Sequence, residues 1–379
     1  MSPRVRPRVL MSLTAAMSVL TVGAITGPTA QASTNDIVIA VEGPLTGPQA
    51  AFGRDLVRGV TLAVSQVNAA GGVLGRRVRI VPVDDQANPD LAAAAVKKAK
   101  AAGAVGVIGP FNSSVGLINL PLYAKAGIVS VHMIGSNAVD GLGLTVQPKN
   151  SQVSPVESAY VESTGAKKVS MMVDPSAFTL GMANRLSSTL TTDGVAVTSF
   201  PVIESDAAAN AAQATQALAG NPDLVYVSTY LPDGEGIAAQ LATSTQTFTC
   251  LMGLANIDSS FVSSVGLAAA QRCAFSGLPE AAQLPGAKAQ VFVSQFRKAF
   301  HAKAGVWSPV TYDSTKLLLG GIAATGTTDY GSVLSQLRHT TGYQGVTGKI
   351  TINPKTGNNE AVKVYILKVN DAGAFVPIG

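Results

Sequence analysis

Histidine is almost absent. Three occur in 379 residues, at His132, His301 and His339, and they are scattered. The chain has no Gly-x-Ser-x-Gly elbow, no phosphate-binding Gly-x-x-x-x-Gly-Lys loop and no His-Glu-x-x-His pair, and no Gly-x-Gly-x-x-Gly follows its first strand. Enzyme readings are therefore weak. Charged residues are also sparse, at 13%. No basic run is present, so nothing in the charge pattern argues for a nucleic-acid or membrane-surface partner, and none is expected. Asp84-Asp85 opens a loop, but no ligand set at calcium-loop spacing follows, so these acids read as loop caps. No metal and no cofactor is expected. Beyond the first residues no apolar run approaches the 18 or so needed to span a bilayer.

What is present first is an export signal. Arg4, Arg6 and Arg8 precede an apolar run over 9–25, and Thr29-Ala30-Gln31-Ala32 ends in a small-x-small pattern. Cleavage is expected after Ala32, with residues 1–32 as signal peptide. No cysteine lies near that point, so no lipid anchor is expected, and the product is secreted or periplasmic. The formal charge of +5 falls to +2 once the three leader arginines are removed. Apolar residues make up 47% of the chain, enough for a well-buried core.

Two cysteines, Cys250 and Cys273, remain in an exported chain, and an even count in an oxidising compartment favours a disulfide. Each lies in a strand-like segment, and one helix-length connection separates them. Such strands are usually neighbours in a parallel sheet, within bonding reach. A metal or redox pair is the poorer reading, because the spacing is wrong and no histidine is near.

Strand and helix patterns alternate from Asp36 onward. Strands are expected at 37–41, 78–83, 105–108 and 128–131, with helices at 51–70, 90–101 and after Asn112. The segment from Val105 to Val115 is strand, tight Gly-Pro loop and helix N-terminus. Its hydroxyls and unpaired N–H groups suit the carboxylate or polar head of a small ligand, at the carboxyl end of a strand where open α/β sheets bind ligands. An ordinary helix cap is the alternative, and the Asn112-Ser113-Ser114 glycosylation pattern is common by chance. A second α/β run covers 151–275. Helices follow at 287–304, 310–324 and 330–338. Two last strands, 348–352 and 361–369, are expected to pair across the Asn353-Pro354…Thr356-Gly357 turn. The expected class is α/β: two doubly wound parallel-sheet lobes joined by a multi-strand hinge. Lobe 1 would hold 33–148 and 279–346, and lobe 2 would hold 149–278 and 347–379.

Four segments carry a resemblance: Glu42-Gly-Pro-Leu-Thr-Gly-Pro48, Asn68-Ala-Ala-Gly-Gly-Val-Leu-Gly-Arg76, Asp84-Asp-Gln-Ala-Asn-Pro89 and Ile108-Gly-Pro-Phe-Asn-Ser-Ser114. It continues through Thr229-Tyr-Leu-Pro232, Tyr312-Asp-Ser-Thr-Lys-Leu-Leu318 and Gly345-Val-Thr-Gly-Lys-Ile-Thr351. Together they resemble the leucine/isoleucine/valine-type substrate-binding proteins of ABC importers, which bind branched-chain amino acids or amides and have the type I periplasmic binding-protein fold. The resemblance implies a non-catalytic monomer that closes two lobes on a small molecule and delivers it to an importer permease. A ligand-sensing module for a membrane receptor is the second reading.

Carried over by position, the resemblance implies a first-lobe pocket of Phe52, Asn112, Ser113, Ser114 and the loop 132–137, including His132, Gly135 and Ser136. Ser113 and Ser136 would hold a carboxylate. Phe178, Tyr230 and Leu254 would come from the second lobe. Phe52 and Phe178 can also be read as core aromatics, and His132 reads more readily as a hydrogen-bonded structural histidine. The family places an acid just after the strand before Gly253, to pair with an ammonium. Here Leu254, Ala255 and Asn256 follow. A carboxylate or amide lacking the ammonium, or an aromatic compound, fits at least as well as an α-amino acid.

Overall fold

Residue alternation in the first strand decides how the first lobe is layered. The computed structural model describes residues 35–378; the signal-peptide reading lies outside them. In β1 (Ile37–Gly43), Ile37, Ile39 and Val41 pack to one side of the sheet, and Val38 and Ala40 to the other. Both sides are buried, so helices must cover both. They are supplied by α1 (Ala50–Ala69), β2 (Val78–Asp84), α2 (Ala92–Ala101), β3 (Ala104–Ile108), α3 (Ser113–Ala126) and β4 (Val129–Val131). The four strands are all parallel, in the order β2-β1-β3-β4.

The second sheet repeats the device. Its elements are α4 (Asn150–Ser163), β5 (Lys168–Val173), α5 (Ala177–Thr192), β6 (Ala196–Pro201), α6 (Ala207–Ala219), β7 (Leu224–Ser228), α7 (Asp233–Ala242), β8 (Thr249–Met252), α8 (Ser259–Val265), α9 (Leu267–Arg272) and β9 (Cys273–Gly277). Leu224 and Tyr226 of β7 face one layer, and Val225 and Val227 the other. The chain then forms α10 (Ala287–Phe300), α11 (Trp307–Thr325), α12 (Tyr330–Arg338), β10 (Tyr343–Gln344), β11 (Lys349–Ile350), β12 (Tyr365–Val369) and β13 (Phe375–Pro377). β12 and β13 extend the second sheet antiparallel, giving seven strands in the order β13-β12-β9-β8-β7-β5-β6.

α11 returns to the first sheet, where Leu318 and Ile322 share a core with Ile39 and Val60. It seats closely on α1 at Gly59, where a Cβ would stand 2.2 Å from the Ser308 carbonyl oxygen. The start of α11 at Trp307, ahead of the expected 310, is set from a distance. The buried Asp55 carboxylate of α1 accepts the N–H groups of Gly305, Trp307 and Ser308 at 3.2, 2.9 and 2.8 Å. A cap some 250 residues away along the chain is invisible to local periodicity.

The expected hairpin of 348–352 with 361–369 does not form. Lys349–Ile350 pairs instead with Tyr343–Gln344, and Tyr365–Val369 pairs with β9. The cause lies again in α11. The Asp313 carboxylate accepts from the Val346 and Thr347 N–H groups and from the Thr347 hydroxyl, at 2.9, 2.8 and 2.7 Å, and holds this segment against the first lobe. An isolated bridge, Ile352 to Asn359, is the pairing across the turn.

Cys250 and Cys273 sit opposite each other in the β8–β9 register and form a disulfide. It closes a sequence separation of 23 residues, worth roughly 3 kcal/mol on the chain-entropy view. Reduction, or the Cys250→Ala/Cys273→Ala pair, is expected to lower the free energy of unfolding in denaturant by about that amount. An unchanged midpoint would show that the bond adds nothing to the stacked strands.

Two buried carboxyls make stability pH-dependent. Glu157 of α4 accepts from the Tyr226 hydroxyl at 3.0 Å and from the Ser276 hydroxyl at 2.5 Å. Burial pushes its pKa up to about 7. Asp85 is likewise pushed up to about 7, chiefly by burial, with Asp84 adding repulsion. Both folded-state values exceed those of the unfolded chain, so the folded state holds protons that the unfolded chain releases. Their stabilisation is complete below about pH 4 and is lost as pH rises through about 7. Thermal melts are expected to be higher at pH 5 than at pH 7.5, and Glu157→Gln should flatten that slope. A slope unchanged in this variant would remove Glu157 from the account.

Candidate functional site

The chain that leaves the first sheet for α4 grips the loop it has just passed. The side chain of Gln147 donates to the Met133 carbonyl at 2.5 Å. Lys149 Nζ donates to the Ile134 and Ser136 carbonyls at 3.2 and 2.6 Å, and the Asn150 N–H donates to the Gly135 carbonyl at 2.8 Å. Four consecutive carbonyls, 133 to 136, are thus held from one side. The opposite edge of the loop meets α3, where the Ser136 N–H donates to Ser113 Oγ at 3.4 Å and the Met133 N–H to the Pro110 carbonyl at 2.9 Å.

Lys149 is fully buried and pairs with Asp140 at 3.1 Å. Burial lowers its pKa, and Asp140 opposes that shift. His132 belongs to the same scaffold. Its Nε2 donates to the Leu142 carbonyl at 3.1 Å, and its Nδ1 accepts from the Ile134 N–H at 3.2 Å. These partners fix the Nε2–H tautomer. Burial, with Lys149 adding to it, holds the ring neutral.

Across from this loop stand the carboxyl ends of β5, β7 and β8. Ser114 Oγ of α3 accepts from the Ala177 N–H of α5 at 3.0 Å, so the N-termini of two helices from the two lobes face one another. The Asn150 side chain donates to the Phe178 carbonyl at 3.2 Å. A row of rings crosses the cleft. Phe52 lies 5.2 Å from Phe111, Phe111 lies 5.0 Å from Trp307 and 6.4 Å from Tyr230, and Tyr230 lies 6.0 Å from Phe178. Burial and the neighbouring Asp174 hold the Tyr230 phenol protonated far above its usual range. Asp174 itself is committed to structure. One carboxylate oxygen accepts from the Ser176 N–H and the Thr179 hydroxyl at 2.9 and 2.6 Å, the other from the Tyr230 N–H at 3.0 Å.

Two cavities lie in this cleft. The outer one, about 200 Å³, is lined by Asn112, Ser114, Ser176, Tyr230 and Asp233 among others. The inner one, about 10 Å³, is lined by Ser113, Gln147, Phe178, Tyr230, Leu254 and Trp307 with Phe111, Met133 and Ala255. The structure therefore brings Asn112, Ser113, Ser114, Phe178, Tyr230 and Leu254 to one place. Gly135 abuts it, since a Cβ there would stand 2.4 Å from the Phe178 ring. Ser136 is placed at its edge, capping the turn at 137–139 and touching Ser113. Phe52 and His132 line neither cavity. Phe52 is fully buried behind Phe111, and His132 is buried in the scaffold of the 132–137 loop.

Sequence reasoning missed Phe111, Gln147 and Trp307. Phe111 lies inside the loop already singled out. The single tryptophan at the start of a helix is a weak local signal. Its place in the cleft follows from the Asp55 cap. Among the described residues no group of three or more His, Cys, Asp and Glu is arranged to hold a metal, and no helix is long and apolar enough to cross a membrane.

A family model described as periplasmic binding protein matches residues 36–374. The chain belongs to the periplasmic binding protein family. The family is one of extracytoplasmic solute-binding proteins, not enzymes, and the two α/β lobes have its type I fold. The Leu/Ile/Val-binding protein BraC3 of Rhizobium johnstonii is 27% identical over 323 residues, covering 83% of this chain and 87% of that protein. Among solved structures, a leucine-binding protein LivK from Thermotoga maritima superposes with a TM-score of 0.82 at 22% identity, covering 90% of this chain and 98% of the other. A solute-binding protein of an ABC transporter from R. palustris, in complex with benzoate, gives 0.81 at 18% identity, covering 91% and 96%. At these identities the superpositions speak to the fold alone.

Lys149→Met is expected to destabilise this binding protein by about 2–4 kcal/mol, because the Ile134 and Ser136 carbonyls lose their buried donor. Asp140→Asn should cost less, since the Asp140 side chain is 27% exposed and water can take its place. Equal losses in denaturant titrations would contradict the assignment of Lys149 as the fastener of the loop.

Proposed function

We propose that the chain captures a small amphipathic ligand between its two lobes and passes it to the permease of an ABC importer. The ligand class is a branched-chain amino acid, an amide or a related carboxylate. The observation that carries this reading is the meeting of α3 and α5. Two helix N-termini from two lobes converge beside the hydroxyls of Ser113 and Ser114, and helix N-termini favour negative charge. The walls beside them are Phe178, Tyr230 and Leu254, so a polar head and an apolar body are both provided for.

In this reading Asn112, Ser113, Ser114, Gly135 and Ser136 form the first-lobe face of the site, and Phe178, Tyr230 and Leu254 the second-lobe face. Phe52 and His132 support it from behind. We take the first lobe as 35–148 and 279–350 and the second as 149–278 and 351–378, with the third crossing after the 343–350 hairpin that Asp313 holds on the first lobe rather than at 346/347, and the three crossings between them form the hinge. The relatives named for leucine, isoleucine and valine support the amino-acid member of the class. The replacement of an acid by Leu254 supports the members without an ammonium. Closing contacts such as Ser114 to Ala177 exist only when the lobes meet, so ligand and closure stabilise each other.

The mature protein should be stabilised in thermal melts by a branched-chain amino acid, its amide or its deaminated acid, by about 2.7 kcal/mol at a concentration 100 times the dissociation constant. Ser113→Ala and Ser114→Ala should each weaken binding by roughly 5- to 30-fold in calorimetry. Binding unaffected by both substitutions would move the site away from α3.

A further inference from the structure

Two polar atoms at the inner end of the cleft are buried without a protein partner. Trp307 is 3% exposed, and its indole Nε1–H donates to nothing in the protein. Gln147 is 2% exposed; its amide nitrogen is used by Met133, and its Oε1 accepts from nothing in the protein. Both residues line the same inner cavity. Buried donors and acceptors are satisfied in the great majority of cases, and leaving one unpaired costs about 1–3 kcal/mol. A donor and an acceptor left open in one cavity therefore describe the group that completes them: one that accepts one hydrogen bond and donates another.

The rest of the lining narrows the class. Phe111, Phe178, Tyr230 and Trp307 are aromatic, Leu254, Ala255 and Met133 are apolar, and no charged residue is among them. An ammonium placed here has no countercharge. The carboxylates of the outer cleft, Asp174, Glu204 and Asp233, line the outer cavity and not the inner one. Asp174 is filled by three donors, and Asp233 accepts from the Ser205 N–H and the Asn210 side chain. A hydroxyl on an aromatic ring satisfies every condition. It donates to Gln147 Oε1, accepts from Trp307 Nε1–H, and its ring lies among rings.

We propose that the inner end of the cleft recognises the ring hydroxyl of an aromatic carboxylate. Gln147 and Trp307 are its specificity-determining pair. This rests on the reading of the cleft as the solute site and names its ligand class. At about 10 Å³ the inner cavity is water-sized, so the ring enters while the lobes are apart and the pair closes on its hydroxyl.

The test is calorimetry on the mature protein with matched pairs: 4-hydroxybenzoate against benzoate, 4-hydroxyphenylacetate against phenylacetate, and leucine and valine alongside. The hydroxylated member of each pair is expected to bind at least about tenfold more tightly, because its absence leaves both protein atoms unpaired. Trp307→Phe keeps an aromatic ring beside Phe111 and removes the donor; Gln147→Met removes the acceptor together with the amide donor to the Met133 carbonyl. Each should bring the two members of a pair to within about threefold of one another. A shift in the ultraviolet spectrum of the bound phenol, lost in Trp307→Phe, is the second readout. Tightest binding of leucine or valine, or equal affinity within each pair, overturns the ligand class and leaves the solute-binding reading standing. No stabilisation by any compound overturns both.

Discussion

Everything in the cleft depends on how residues 147–150 hold the loop 133–136. Four carbonyls in succession are bound by Gln147, Lys149 and the Asn150 amide, and the loop then has a single orientation. A buried ammonium such as that of Lys149 is costly unless it is paired and its protons are used. Here two carbonyls and the Asp140 carboxylate use them. The same residues begin α4 and the second lobe. The segment that joins the first sheet to α4 is therefore also the one that holds the 133–136 loop in place. Gly135 fits into this scheme, since any side chain there would strike the ring of Phe178.

A second constraint comes from long-range carboxylate caps. Asp55, Asp174 and Asp313 are each buried, and each accepts N–H groups from a segment distant in sequence. Asp55 sets the start of α11 and so puts Trp307 in the cleft. Asp174 ties the end of β5 to the end of β7 and so puts Tyr230 opposite Phe178. Asp313 holds the 343–350 hairpin on the first lobe. Charge that looks available in the sequence is in this way spent on the scaffold, which leaves the inner cleft with aromatic and neutral polar walls.

The alternation of strands and helices was legible from residue 36 onward, because buried parallel strands and amphipathic helices differ in period. The position of Ser113 and Ser114 at a helix N-terminus was legible for the same local reason. The pairing of Cys250 with Cys273 followed from adjacency in a parallel sheet, and the β8–β9 register supplies it. What failed was non-local. The expected 348–352 hairpin was displaced by a cap from Asp313, and the start of α11 was moved by Asp55. Trp307 and Gln147 carry no periodic or motif signal. They reach the cleft through contacts made far away in the chain.

Family membership and the particular chemistry of this cleft answer different questions. The fold, its two lobes and its placement of helix N-termini at strand ends are shared by structures at 18–22% identity. A shared fold does not decide which ligand is chosen. Choice rests on the few buried polar atoms that the fold leaves open, because an unmet donor or acceptor costs more than a lost apolar contact of similar size. In this chain two such atoms, the indole N–H of Trp307 and the amide oxygen of Gln147, belong to residues that line the inner cavity. Gln147 also fastens the carbonyl of Met133, so one residue both holds the loop and lines the inner cavity. Selectivity and rigidity of the loop then cannot be changed independently at that position.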